Sequence, residues 1–113
     1  MNDFIFIDRN IYNLCSSIFL NITNILIFDA LERNKTIESV LELTDKLYDI
    51  KFTKNNKLIV IGGGITQDVG GFAASIYKRG INWIFIPTTL LSMCDSCIGS
   101  KVCINRKTKN ILG

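Results

Sequence analysis

The alternation of short β-rich runs with segments of helical period constrains the fold of this chain most. Four apolar runs of strand length occupy residues 4–7, 24–28, 57–61 and 82–86. Residues 11–20, 37–48 and 68–79, which lie between them, carry apolar side chains at helical spacing. Because strands that alternate with helices favour right-handed β-α-β connections, the sequence predicts an α/β fold with a mainly parallel sheet and flanking helices.

Two of the predicted helices carry recognisable end signals. Thr36 is suited to cap the second helix, and Gly80 follows the basic last turn of the third. The core face of the second helix is expected at the apolar residues Ile37, Val40, Leu41, Leu47 and Tyr48.

The composition limits both the size of the fold and its chemistry. The 113 residues suffice for one domain, and they include no histidine. The chain therefore lacks the commonest general base at neutral pH and every imidazole metal ligand. Any chemistry must use carboxylates, amines, hydroxyls, thiols or a bound cofactor, or else groups from outside these residues.

The apolar runs also bear on the cellular compartment. None reaches the roughly 18 residues of a membrane span. The first nine residues contain Asp3 and Asp8 instead of the basic start of a secretory signal. We therefore expect a cytoplasmic protein without a membrane partner, in which Cys15 and the cysteines near residue 100 are reduced thiols.

Three consecutive glycines mark the most specific local feature. Gly62, Gly63 and Gly64 directly follow the third strand and precede a helix, so the backbone there can turn sharply and approach a ligand closely. The amides and dipole of a helix start favour an anion such as a pyrophosphate, although a plain tight turn explains the same residues. Gly70 and Gly71, within the helix, indicate close packing against the sheet.

The last third of the chain is rich in hydroxyl, amide and basic groups. Thr88 and Thr89 follow the fourth strand, where they could bind a ligand or only cap a helix. Beyond them, such groups collect with only one carboxylate, at Asp95, Ser96, Lys101, Asn105, Arg106, Lys107, Lys109 and Asn110. This set suits a phosphorylated ligand or a solvated basic loop. Nucleic acid is not expected as a partner, because no aromatic residues are interleaved with the charges.

Six motifs, taken in order, resemble the 3-dehydroquinate synthase family. They are L-I-V-I-G-G-G-I-T-Q-D-V-G-G-F from Leu58, Y-K-R-G-I from Tyr77, I-P-T-T-L-L from Ile86, D-S-C-I-G-S-K from Asp95, I-N from Ile104 and K-N-I-L-G from Lys109. Upstream, D-x-N and E-x-x-K elements also match. The resemblance covers only the nucleotide-binding half of the family, so it implies that residues 1–113 form a partial, Rossmann-like NAD-binding domain without the C-terminal helical metal-binding domain.

The resemblance also implies site residues. On the NAD side, it implies Asp8 and Asn10 near the adenosine, Glu32 and Lys35 at its ribose, Gly63, Gly64, Ile65 and Asp68 near the pyrophosphate, and Thr88, Thr89 and Leu91 on the nicotinamide side. On the substrate side, it implies Asp95, Lys101 and Asn110 as catalytic residues, with Lys101 and Lys109 also near the cofactor.

The family converts 3-deoxy-arabino-heptulosonate 7-phosphate, a keto sugar-acid phosphate, into 3-dehydroquinate in the shikimate pathway. NAD removes and returns a hydride, phosphate is eliminated and the ring closes. A divalent metal, zinc or cobalt, is held by one Glu and two His of the domain that is absent here, and the full-length enzyme is expected to be a homodimer. The chain alone is expected to be an inactive fragment. Because Cys97 and Ser100 differ from the family pattern, a related sugar-phosphate cyclase acting on sedoheptulose 7-phosphate or glucose 6-phosphate remains an alternative, as does a non-catalytic NAD-binding remnant.

Overall fold

The fold is built on one parallel sheet. The computed structural model describes residues 3–87. Its strands are β1 (Phe4–Asp8), β2 (Ile25–Phe28), β3 (Leu58–Gly62) and β4 (Trp83–Pro87), in the order β2-β1-β3-β4 with every neighbouring pair parallel. This confirms the predicted α/β class.

Three α-helices connect the strands: α1 (Arg9–Leu14), α2 (Ile37–Asp49) and α3 (Gly64–Ile76). Short 3-10 helices occupy Ser16–Phe19, Glu32–Asn34 and Tyr77–Arg79. The cap predicted for the second helix is confirmed, because the Thr36 hydroxyl accepts a hydrogen bond from the backbone N–H of Ser39 at 3.2 Å. None of the helices within residues 3–87 is both long and apolar enough to cross a membrane.

The helices cover the two faces of the sheet separately. One core joins strand residues such as Phe6 and Val60 to side chains of α2 and α3. The other joins Ile7 and Ile61 to α1 and to the 3-10 helix that follows it. Successive strand side chains point to opposite faces, which explains why the run of β3 is apolar throughout: both of its faces are covered.

The glycines inside α3 bring that helix close to the sheet, as predicted. A Cβ atom on Gly70 would lie 2.7 Å from Val60 Cγ2 and 3.2 Å from Phe6 Cδ2, and one on Gly71 would lie 2.9 Å from the ring of Trp83. Real Cβ atoms essentially never come within 3.0 Å of such neighbours. Glycine at these positions therefore sets the distance between α3 and the sheet.

Two helix predictions are wrong in detail. The first helix begins at Arg9, because the Asp8 carboxylate accepts from the Asn10 N–H at 3.0 Å and caps it, and it stops at Leu14 instead of continuing to residue 20. The third helix begins at Gly64 instead of residue 68. The left-handed conformation after it begins before Gly80, at Lys78 with φ 48° and at Arg79 with φ 64°, and Gly80 itself has φ 111° and ψ 133°.

The buried face of α2 also differs from the expected one. Leu43, which the prediction left out, is buried together with Val40 and Leu47. Ile37, Leu41 and Tyr48 are 50%, 49% and 75% exposed, because they lie on the side of α2 that faces away from the sheet. Apolar residues at helical spacing therefore covered more than one face.

The expectation of reduced thiols is wrong for Cys15. This residue is buried against the second core, with 3% of its surface exposed, and it is disulfide-bonded. The expectation rested on the rarity of disulfides in one compartment, which carries no information about what the fold brings close to a given sulfur atom.

Candidate functional site

The candidate site lies at the carboxyl edge of the sheet, where β1 and β3 are neighbours. From β1 the chain passes to α1 on one face, and from β3 it passes to α3 on the opposite face. The strand order reverses at this point, because β2 lies on one side of β1 and β3 on the other. In open α/β sheets, such a switch point leaves a crevice at the strand ends in which ligands bind.

The glycine turn forms one wall of this crevice. Gly62 ends β3, Gly63 is the N-cap residue of α3, and the first helical hydrogen bond runs from Gln67 N–H to Gly63 C=O at 2.9 Å. The backbone N–H groups of Gly64, Ile65 and Thr66 therefore have no acceptor within the helix. Gly63 supplies no side-chain cap, and the first turn of α3 contains no acidic residue. The positive end of the helix dipole is thus available to an anion.

The space around this turn differs from one glycine to the next. A Cβ on Gly64 would meet nothing within 4 Å, so its backbone can be approached from outside. A Cβ on Gly62 would lie 2.7 Å from Oγ1 and 2.8 Å from Cβ of Thr66, so this position requires glycine for packing. The turn therefore combines a tightly packed inner side with an open outer side, which is the shape needed to hold a diphosphate against backbone amides.

An ion pair joins α3 to the connection that precedes α2. Lys35 Nζ, from the connection between β2 and α2, lies 3.0 Å from Asp68 Oδ2 on α3, and both side chains are about half-exposed. The hydrogen bond to Asp68, together with the negative charges of Asp68 and Glu32, raises the pKa of Lys35 above its usual value of 10.5. Lys35 therefore carries a positive charge at neutral pH close to the N-terminal turns of α3.

A second group of polar side chains lies at the ends of β1 and β2. Arg9 Nε lies 2.5 Å from Asp29 Oδ1, and Asn34 Nδ2 donates to the backbone carbonyl of Asp29 at 2.9 Å. Together with neighbouring residues they line a pocket of about 290 Å³, whose walls are Asp8, Arg9, Asn10, Asp29, Ala30, Leu31, Arg33 and Asn34. The ion pair fixes the turn after β1 against the turn after β2.

The structure thus brings together the predicted site residues that it describes. Asp8 and Asn10 lie in the pocket, Glu32 and Lys35 in the adjoining connection, and the remaining positions at the glycine turn and on α3, namely Gly63, Gly64, Ile65 and Asp68. Other predictions fall outside the described residues: Thr88, Thr89, Leu91, Asp95, Lys101, Lys109 and Asn110. Within residues 3–87 there is no group of three or more His, Cys, Asp or Glu side chains that could hold a metal ion.

Sequence reasoning missed two members of the pocket that interact directly, Arg9 and Asp29. Asp29 follows the last residue of β2, so its position at a strand end was a usable signal. Its pairing with Arg9, twenty residues earlier, follows from the adjacency of β1 and β2 and could not be inferred from spacing.

Comparison with known proteins identifies the family. The sequence profile described as 3-dehydroquinate synthase N-terminal matches residues 25–113. The chain belongs to the 3-dehydroquinate synthase family. It is 54% identical over 87 residues to the 3-dehydroquinate synthase of Pelagibacter ubique, an alignment that covers 76% of this chain and 24% of that protein. It is 42% identical over 106 residues to the 3-dehydroquinate synthase of Clostridium tetani, covering 93% of this chain and 26% of that protein. The chain therefore spans about a quarter of the length of these relatives.

Solved structures of the wider cyclase group share the fold. 2-Epi-5-epi-valiolone synthase from Streptomyces hygroscopicus, determined with NAD+ and Zn2+ bound, superposes with a TM-score of 0.65 at 28% identity over 85% of this chain and 29% of that one. 2-Deoxy-scyllo-inosose synthase, determined with carbaglucose-6-phosphate, NAD+ and Co2+, superposes with a TM-score of 0.63 at 27% identity over 78% of this chain and 26% of that one. The described part of the chain has the fold of the corresponding quarter of these sugar-phosphate cyclases.

Proposed function

We propose that residues 1–113 are the NAD-binding part of a 3-dehydroquinate synthase. One observation carries the proposal: the uncapped start of α3 follows a glycine turn at the switch point of the sheet, with open space beside Gly64. A dinucleotide fits this arrangement because its diphosphate is an anion that backbone amides at a helix start can hold. The membership of the chain in the 3-dehydroquinate synthase family supports the same ligand.

In this proposal, different residues around the crevice bind different parts of the dinucleotide. The adenosine would lie at the pocket containing Asp8 and Asn10, and Glu32 and Lys35 would bind its ribose. The amides of the glycine turn, Gly63, Gly64 and Ile65, would hold the diphosphate. Asp68 would keep the Lys35 ammonium beside it, so that the added negative charge is balanced. When bound, NAD supplies a reversible acceptor of hydride.

The positions beyond the described residues complete the proposal. Thr88, Thr89 and Leu91 would lie on the nicotinamide side. Asp95, Lys101 and Asn110 would face the phosphorylated keto sugar-acid, and Lys101 and Lys109 would also lie near the cofactor. Among these, the Lys101 ammonium is suited to bind a phosphate or carboxylate oxygen as a compact positive charge.

The remaining features of the enzyme belong to the whole protein. We propose that it is a cytoplasmic homodimer that eliminates phosphate from 3-deoxy-arabino-heptulosonate 7-phosphate and closes the ring to 3-dehydroquinate. A divalent metal, zinc or cobalt, would polarise a substrate hydroxyl. Its one Glu and two His ligands would come from outside residues 1–113, which contain no histidine.

A related cyclase with another substrate is the second candidate, because the solved structures described above are sugar-phosphate cyclases of other kinds. The curated relatives favour the first candidate, since the Pelagibacter protein is a 3-dehydroquinate synthase at 54% identity.

Phosphate release decides between the two. The protein that carries this chain, expressed from its whole coding sequence, should release phosphate from 3-deoxy-arabino-heptulosonate 7-phosphate and not from sedoheptulose 7-phosphate or glucose 6-phosphate. Turnover should disappear with a chelator, return with zinc or cobalt, and fall strongly in Lys101→Ala. Release from one of the other two phosphates instead would favour the related cyclase, and an unchanged rate in Lys101→Ala would contradict the site assignment.

A further inference from the structure

We propose that Thr66 is a positioning residue, whose buried hydroxyl gains its hydrogen-bond partner when the turn at residues 62–64 binds a diphosphate. The inference rests on the proposed binding of NAD and adds a residue outside the set that the family motifs imply. Thr66 touches no ligand itself in this proposal and acts through the backbone of the glycine turn.

The first observation is an unsatisfied buried hydroxyl. Thr66 is 0% exposed, and its Oγ1 has no hydrogen-bond partner. Within residues 3–87, it is the one buried side-chain nitrogen or oxygen atom without a hydrogen-bond partner. Buried polar groups are nearly always hydrogen-bonded, and an unpaired one lowers the stability of the fold. A threonine here is therefore unfavourable in the ligand-free protein compared with a valine of the same shape.

The second observation is the place of this hydroxyl. Oγ1 lies 2.7 Å from the point that a Cβ of Gly62 would occupy, so it lies directly against the turn. Gly62 is also four residues before Thr66, and a threonine hydroxyl in a helix commonly donates to the carbonyl of that residue. The unpaired donor thus lies against the backbone of the turn at the start of α3, where the outer side of Gly64 is open.

These observations couple the hydroxyl to the ligand. A diphosphate that binds the amides at the start of α3 fixes the orientation of the peptide units of the turn. In the bound orientation, the Gly62 carbonyl accepts from Thr66 Oγ1, so ligand binding and this hydrogen bond stabilise each other. Removal of the hydroxyl should then weaken binding without weakening the ligand-free fold, which is the reverse of an ordinary structural hydrogen bond.

Substitutions of Thr66 separate these effects in the protein that carries this chain, expressed from its whole coding sequence. Thr66→Val keeps the shape and removes the hydroxyl, whereas Thr66→Ser keeps the hydroxyl. Thr44→Val is a matched control, because the Thr44 hydroxyl donates to the Leu41 carbonyl at 2.9 Å on α2, away from the turn. Affinity for NAD+ and for ADP is measured by isothermal titration calorimetry, and thermal unfolding is followed without ligand.

Thr66→Val should unfold at the same or a higher temperature than the unmodified chain and bind both NAD+ and ADP about five- to tenfold more weakly, the effect of about one hydrogen bond. Thr66→Ser should bind like the unmodified chain, and Thr44→Val should leave affinity unchanged. If Thr66→Val does not fold, Thr66→Ala, which adds no methyl group to the core, should show the same loss of affinity.

Two results would overturn the inference about Thr66 and leave the proposed function standing. One is undiminished binding in a folded variant without the hydroxyl, and the other is a loss of affinity in Thr66→Ser equal to that in Thr66→Val. If the unmodified chain binds neither NAD+ nor ADP, the proposed function itself fails and the inference falls with it. The titration of the unmodified chain therefore distinguishes the two failures.

Discussion

Gly64→Ala should stabilise the fold and weaken nucleotide binding at the same time. Gly64 is the first residue of α3, and a Cβ there would meet nothing within 4 Å. Alanine at a compatible position stabilises a protein by about 0.4–1 kcal/mol, chiefly because it restricts the unfolded chain. The midpoint of thermal or urea unfolding should therefore rise slightly without ligand.

The same methyl group would occupy the open side of the turn, where the proposed diphosphate approaches the backbone. Loss of one hydrogen bond between an amide and a charged phosphate oxygen costs about 1.5–3 kcal/mol. Since about 1.4 kcal/mol corresponds to a factor of ten, the dissociation constant for NAD+ should rise about ten- to a hundredfold. Calorimetric titration of the folded variant measures this directly.

A folded Gly64→Ala chain that binds NAD+ as tightly as the unmodified chain would refute the reasoning, because the start of α3 would then not be where the diphosphate lies. If the ligand-free variant is less stable than the unmodified chain, the predicted stabilisation is refuted, and with it the reasoning that the space beside Gly64 is open.

The remaining predictions concern packing and charge. Gly70→Ala places a methyl group 2.7 Å from Val60 Cγ2. Overpacking of this kind costs about 1–3 kcal/mol, and the better helix propensity of alanine offsets about 1 kcal/mol of that cost. The free energy of unfolding, measured with urea, should therefore fall by up to about 2 kcal/mol. Thr36→Ala removes the cap of α2 and should cost about 1 kcal/mol in the same assay, with Thr36→Ser close to the unmodified chain. Asp68→Asn should lower the pKa of Lys35 towards 10.5, because the hydrogen bond and charge of Asp68 raise it; an NMR titration of Nζ that finds no change would contradict the ion pair. Since the pKa of Lys35 is higher in the folded state, the pair should stabilise the fold at neutral pH, and this contribution should be lost as the pH rises through that raised pKa.

The sequence was sufficient for the strands and for the order of the elements. Each strand is a short apolar run between helical segments, and β3, covered on both faces, shows the most continuous run. The helix boundaries were less predictable because they depend on single hydrogen bonds. The Asp8 side chain caps α1 three residues before the apolar pattern begins. The left-handed residues after α3 are Lys78 and Arg79, which are types that rarely take this role.

The candidate site was also predictable only in part. Glycines after a buried strand are visible in the sequence, and the structure finds them at the predicted strand end beside a helix start. The Arg9–Asp29 ion pair and the buried hydroxyl of Thr66 were not predictable, because each depends on residues that only the folded sheet brings together. The sequence shows neither that Arg9 and Asp29 are neighbours nor that the Thr66 hydroxyl is buried without a partner.

The amide chemical shifts of the chain during a titration with NAD+ test the central claim most directly. The account predicts that the largest changes occur at Gly63, Gly64 and Ile65, with smaller ones at Lys35 and in the pocket beside Asp8. Binding with the largest changes elsewhere, for example on the exposed side of α2, or no change at any concentration that saturates ordinary nucleotide sites, would contradict the claim that this edge of the sheet binds the dinucleotide.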